Sequence, residues 1–225
     1  MKNIHFVGTR TATVGSTTIG YEGTGGWTWA SYLGKNSPFY DEQTGTISFK
    51  TYCRENGIDG IDVLCVMLTW NYQSTPSNTY VNLEGGHFAN ARKLLDVLHS
   101  EYPNATVRVM GLQIPCQRGG LAAGYGADGG MSDSYGMLIS AMHYNAGLER
   151  LCALEQYADF VEYVDIAGQF DTDNNMPSKK KPVNDRNDTT EIVGTDGIHP
   201  TTAGYKQIAD AIYRALCHEI AKRNQ

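Results

Sequence analysis

The run Gly194-Thr195-Asp196-Gly197-Ile198-His199-Pro200 sets an acid and a base three residues apart on a glycine-containing turn. At that spacing a carboxylate can reach an imidazole, fix which ring nitrogen carries the proton and stabilise the imidazolium formed in proton transfer. His199 is therefore a candidate general base, and Asp196 its orienting acid. A histidine alone is more often structural; this acid, the following proline and an amphipathic run after it favour chemistry. Two other stretches offer donor groups. Tyr21-Glu22-Gly23-Thr24-Gly25-Gly26-Trp27-Thr28 is a glycine-dense turn, and Leu68-Thr69-Trp70-Asn71 ends an apolar run on a side-chain amide. The backbone N–H of Gly26 and the amide of Asn71 are the donor types that hold an oxyanion in a tetrahedral transition state. Gly26 equally suits a turn with positive φ, and an asparagine commonly caps a strand end. No serine completes the set: Gly15-Ser16 lies in a Thr/Gly-rich stretch with no strand directly before it. Ser132 and Ser134 stand where helix caps are expected.

Composition narrows the function classes. The 225 residues are 41% hydrophobic and 19% charged with a formal net charge of -6, which fits one α/β domain and argues against a nucleic-acid partner. The basic run Lys179-Lys180-Lys181, between Pro177 and Pro182, reads as a solvated loop. The five cysteines are scattered and odd in number, so neither a zinc site nor a disulfide framework is expected. Cys65 and Cys217 read as buried thiols. Asp62 and Asp165 belong to no ligand cluster and read as caps or strand-end hydrogen-bonding groups, so no metal is expected. No segment is apolar enough to span a bilayer. No export signal is visible either, and localisation stays open.

The elements that must position these groups alternate. Asn3–Gly8, Ile61–Leu68, Ala105–Ile114 and Phe160–Ile166 read as strands, and Ile61–Leu68 has the near-continuous apolar pattern of a strand buried on both faces. Helices are predicted over Ile47–Asn56, Phe88–Ser100, Ser132–Tyr157 and Thr201–Ile220. In the last of these, Ile208, Ile212, Leu216 and Ile220 recur every four residues and make one apolar face. The alternation implies a mostly parallel sheet covered by helices on both sides. Pro115–Gly130 and Ala167–Thr195 read as loops after strands, where ligand crevices form. Trp27, Trp29 and Trp70 could stack on sugars, although each taken singly is better explained by packing. No linker or repeat divides residues 1–225, which read as one domain.

These blocks, in this order, resemble the SGNH (GDSL-type) hydrolase family, and most closely its carbohydrate-esterase-like branch. There a strand like Ile4–Thr9 precedes an EGxxGW turn like Glu22–Trp27, and the C-terminal block resembles Asp196–Leu216. The resemblance implies a flavodoxin-like three-layer α/β/α sandwich. It also implies a serine esterase that needs no cofactor and acts on O-acetylated carbohydrate. It assigns Gly26 and Asn71 to the oxyanion hole, His199 as base and Asp196 as its acid. Two departures stand out. Thr69 and Tyr72 replace the glycine and the acid that usually flank the asparagine, and the Gly-Asp-Ser block with the nucleophile is missing. Gly8-Thr9-Arg10 is no substitute, because no helix follows it. The chain is therefore expected to begin inside the domain, without its first strand, and to be inactive alone. Loss of a central strand would leave Ile4–Gly8 and Ile61–Leu68 with facing open edges. Low stability or direct pairing of those two strands follows. The missing serine also admits a non-catalytic carbohydrate-binding or adhesive module derived from such an enzyme. Acyl transfer to a sugar would use the same residues as hydrolysis.

Overall fold

A hairpin, not a strand over Ile4–Gly8, is the first regular element among the described residues. Strands β1 (Arg10–Val14) and β2 (Thr17–Tyr21) pair antiparallel around a two-residue turn in which Gly15 takes φ +62°. That geometry matches the twist of the flanking strands, and the Thr- and Val-rich arms suit it. Residues 4–8 lie outside regular structure, and the Phe6 carbonyl accepts from the Gly20 N–H at 3.1 Å. Ile4, Phe6 and Val7 are exposed. The expected pairing of Ile4–Gly8 with the Ile61–Leu68 strand does not occur, because that segment leans on the hairpin instead. Ser16 sits in the exposed turn.

This computed structural model describes residues 4–68, 82–116, 118 and 134–223. The chain divides into two units, residues 1–64 with 84–106, and residues 65–83 with 107–225. In the first unit, β3 (Tyr40–Asp41) and β4 (Thr46–Ile47) form a short ribbon ahead of helix α1 (Phe49–Glu55). Ser48 caps α1 by accepting from the Thr51 N–H at 3.0 Å, the ordinary way to satisfy a first-turn donor. Glu101, at the end of α2 (Gly86–Glu101), accepts from the Ser48 hydroxyl and the Lys50 N–H. Along α2, Phe88, Ala91, Leu95 and Leu98 recur at helical spacing and are buried. Aromatic rings fill the rest of this core: Phe39 lies 4.5 Å from Phe49 and 5.0 Å, edge-on, from Tyr52. Trp29 is fully buried here, a packing role.

The central sheet runs β5-β6-β7, with β5 Val63–Val66, β6 Thr106–Met110 and β7 Val161–Val164. Strands β6 and β7 are parallel, with Val107 opposite Val161. Strand β5 stands at the edge of this order, which corrects the expectation that it is buried on both faces: its Cys65 is exposed. Cys217 is exposed as well, on the outer side of its helix, and all five cysteines are unpaired thiols.

In the second unit, helices α3 (Ser134–Cys152) and α4 (Thr202–Arg223) both pack on β7. Side chains alternate across a strand, so Glu162 and Val164 face one way and Tyr163 the other. Val164 and Met110 pack with Ile208 and Ala211 of α4. Tyr163 lies near Glu149 and Cys152 of α3, and burial, followed by the charges of Asp165 and Glu149, raises its pKa. The helices therefore cover opposite faces, giving the α/β/α layering. Beneath α4, buried Arg108 donates to Glu162 at 2.8 Å and to buried Glu219, which also accepts from Arg223. This network ties α4 to the strands. The polar stretch Ala167–Thr195, expected as a loop, folds into a 3-10 turn (Ala167–Gln169) and an antiparallel ribbon. The ribbon's strands are β8 (Ser178–Asn184) and β9 (Asn187–Gly194), so the three lysines stand on an exposed strand.

Candidate active site

The Asp196–His199 turn is held from several directions within the second unit. Its entry is closed by the Thr195 N–H donating to the Pro177 carbonyl at 2.8 Å, the neck of the β8–β9 ribbon. Its exit is the capped start of α4, where the Thr201 hydroxyl accepts from the Gly204 N–H at 3.2 Å. Both the N–H and the hydroxyl of Thr201 donate to the Asn175 carbonyl, at 2.9 and 3.0 Å. Gly204 fits because a Cβ there would stand 2.6 Å from the Asn175 carbonyl oxygen and from Pro200 Cβ. The motif's glycine thus permits close approach of the helix start to the loop beneath it.

Within the turn, His199 Nδ1 lies 2.9 Å from Asp196 Oδ2. Asp196 Oδ1 accepts from the N–H groups of both Ile198 and His199 at 2.9 Å. Partial burial pushes the Asp196 pKa up, but the His199 N–H, the Ile198 N–H and the imidazole outweigh it and leave the carboxyl below its ordinary value. An ionised carboxylate at Nδ1 selects the tautomer with Nδ1–H and leaves the lone pair on Nε2, the state of a general base. The ring is exposed, and the acid is three-quarters covered.

Residues that the motif reading did not single out complete this half of the site. Gln113, beyond the end of β6, donates to the Ile198 carbonyl at 2.7 Å, and the Cys116 N–H donates to the Gly197 carbonyl at 3.1 Å. Asn145 on α3 pairs with both backbone groups of Leu112, accepting from its N–H at 2.7 Å and donating to its carbonyl at 2.9 Å. Tyr144 donates to the Leu68 carbonyl at 2.9 Å. A single buried amide in an apolar helix is a detectable signal for Asn145; nothing local marks its partner.

Gly26 belongs to the first unit. It has φ +81° with open space where a Cβ would point, so the turn needs glycine for its backbone conformation rather than for room. Glu22 anchors that turn: its carboxylate accepts from the Tyr52 hydroxyl and the Thr9 N–H, and its carbonyl from the Tyr32 hydroxyl at 2.6 Å. Arg10 donates to the Gly23 carbonyl at 3.0 Å. Half-buried Trp27 stacks edge-on against Tyr32 at 5.0 Å. Asn71, with Thr69, Trp70 and Tyr72, lies outside the described residues, as does Ser132. The structure thus brings Asp196 and His199 together and describes Gly26 separately. Asp165 accepts from the Gly168 N–H at 3.0 Å, a turn cap. Among the described residues, no group of three or more His, Cys, Asp or Glu side chains could hold a metal, and no helix is long and apolar enough to cross a membrane.

The sequence model of the GDSL-like lipase/acylhydrolase family matches residues 76–212, more than half of the chain. The chain belongs to this family. The match takes in Asp196 and His199 but ends short of Asn71 and Gly26 on its N-terminal side. No curated protein matches the chain significantly. Among solved structures, the acylhydrolase is similar to a Clostridium thermocellum family 3 carbohydrate esterase. Identity is 18%, with 94% of this chain and 76% of that one covered and a TM-score of 0.52. A possible lipase from Chitinophaga pinensis DSM 2588 is 13% identical over 86% of this chain and 80% of its own, with a TM-score of 0.49. The first likeness bears on fold alone, and that fold agrees with the layering described above. By family, the acylhydrolase acts on ester bonds.

Proposed function

We propose that this chain supplies the acid–base pair and the oxyanion donors of a serine esterase that removes small acyl groups, acetyl above all, from carbohydrate. The observation that carries the reading is the 2.9 Å contact between Asp196 Oδ2 and His199 Nδ1 in a GDSL-like acylhydrolase. In the proposed reaction a serine hydroxyl attacks the ester carbonyl carbon while His199 Nε2 takes its proton. The oxyanion is held by the Gly26 N–H and the Asn71 amide, each such donor supplying roughly 10²–10³ in rate. The carbon–oxygen bond to the sugar breaks as Nε2 returns the proton to the leaving alcohol. Water, deprotonated by the same nitrogen, then attacks the acyl-serine, releases the carboxylic acid and restores the serine. Asp196 stays ionised throughout and stabilises the imidazolium. None of these steps calls on a metal or an organic cofactor.

None of the serines singled out in the sequence is assigned the nucleophile's role. Four of the described serines do other work: Ser48 caps α1, Ser31 and Ser37 accept from nearby backbone N–H groups, and Ser16 occupies a hairpin turn. A serine-directed fluorophosphonate should therefore leave the 225-residue chain unlabelled. In any form that hydrolyses p-nitrophenyl acetate, His199→Ala should lower the rate by roughly 10³-fold or more. Stoichiometric labelling of the 225 residues, or unchanged hydrolysis by His199→Ala, would sink the proposal.

A further inference from the structure

Three peptide groups link Asp196 to His199 through Gly197 and Ile198, and the last two are gripped at both ends. In a trans peptide the N–H and the C=O point in opposite directions. The N–H of the Gly197–Ile198 peptide donates to Asp196 Oδ1, while its carbonyl accepts from the Cys116 N–H at 3.1 Å. The N–H of the Ile198–His199 peptide donates to the same oxygen, while its carbonyl accepts from Gln113 Nε2 at 2.7 Å. The carboxylate pulls from one side, and residues 113–116 pull from the other.

From this we infer that Gln113 is a positioning residue for the acid–base pair: its amide fixes the Ile198–His199 peptide plane and thereby aims Asp196 at the imidazole. The orientation of the amide follows from chemistry, since a carbonyl can only accept and the NH₂ must face it. That leaves Gln113 Oε1 buried without a partner among the described residues. A side chain retained for packing alone would be better served by methionine or leucine, which bury no orphan acceptor. The brace is also well founded, because Asn145 holds both backbone groups of the adjacent Leu112. Without the Gln113 donor, the Ile198–His199 peptide is held at its N–H end only and can rotate. Asp196 Oδ1 then loses one of its two backbone donors, and the Oδ2–Nδ1 contact loosens with it.

The inference rests on reading Asp196 and His199 as the acid–base pair, but its test needs no turnover, so the two can fail separately. The probe is ¹⁵N NMR of the 225-residue chain carrying Gln113→Met, which keeps the side-chain volume and removes the donor. The His199 amide is expected to exchange at least tenfold faster with solvent, while the Val107 and Val109 amides in β6 keep their rates. The share of neutral His199 with its proton on Nδ1 is expected to fall. Leu148→Ala, a core truncation elsewhere on α3, controls for general destabilisation and should leave both His199 signals unchanged. If Gln113→Met does not fold, Gln113→Glu replaces it: a protonated carboxyl can donate to Ile198 and an ionised one cannot. His199 amide protection should then drop as pH rises. Unchanged His199 signals in Gln113→Met, equal changes in Leu148→Ala, or pH-independent protection in Gln113→Glu would overturn the assignment.

Discussion

Asn145→Leu isolates what holds the strand end beneath the candidate site. Asn145 and Leu112 are both buried, and the substitution removes a donor and an acceptor together. The Leu112 N–H and carbonyl would both stay buried without partners, at about 1–3 kcal/mol each. The added apolar contact returns about 1–2 kcal/mol, leaving an expected net loss of about 3 kcal/mol. That is a large share of the roughly 5–15 kcal/mol typical of a domain. Urea unfolding read by circular dichroism, with an unchanged m-value, measures it. Asn145→Asp sharpens the test. A protonated carboxyl can accept from the Leu112 N–H and donate to its carbonyl, whereas the ionised form sets an oxygen against that carbonyl in a buried place. Both effects raise the folded-state pKa above the unfolded value of about 4. The native state then binds more protons than the unfolded one, so the variant loses stability as pH rises through that window. Relative to wild type, the deficit at pH 7.5 should exceed that at pH 4.5 by about 1.4 kcal/mol for each unit by which the folded-state pKa stands above about 4.5. A loss below about 1 kcal/mol in Asn145→Leu, or equal deficits for Asn145→Asp at the two pH values, would refute the reasoning.

Four further outcomes are expected. Glu219→Ala leaves Arg108 buried with Glu162 as its one carboxylate partner among the described residues and should cost about 3–5 kcal/mol in urea unfolding, while the double change Arg108→Met with Glu219→Leu should recover most of that loss. Gly204→Ala, whose Cβ would meet the Asn175 carbonyl and Pro200, should cost about 1–3 kcal/mol by the same assay. Gly26→Ala meets only backbone strain and should cost about 1 kcal/mol. Asp196 is held below its ordinary value, so the stability it contributes is present above the unfolded pKa and lost as pH falls through the folded one. The melting-temperature gap between wild type and Asp196→Asn should therefore be widest above about pH 4 and close towards pH 2.

Much of this was legible in the chain because local chemistry decides it. The Asp196-to-His199 spacing forces the carboxylate–imidazole contact. The four-residue recurrence of Ile208 and Ile212 marks the face that α4 buries, and the Val-rich runs of β6 and β7 mark the core strands. What was missed depends on partners distant in sequence. Arg108 reads as a break in an apolar strand until Glu219, more than a hundred residues later, folds over it. Gln113 looks like an ordinary strand-end residue until Ile198 meets it. The N-terminal strand was misplaced for the opposite reason: Ile4–Gly8 has the right alternation, but Gly15-Ser16 downstream offers a tight turn that draws pairing into Arg10–Tyr21. The lysine run misled because composition alone does not separate a polar loop from a ribbon exposed on both faces.

That ribbon has a consequence for how such a protein can diversify. The bond between Thr195 and Pro177 crosses its base, so residues 178–194 hang from a closed stem. Insertions, deletions or wholesale replacement above the stem change that surface without passing through the peptide planes that carry Asp196. A lineage can rewrite that appendage freely while the Asp196–His199 contact beneath it keeps its geometry.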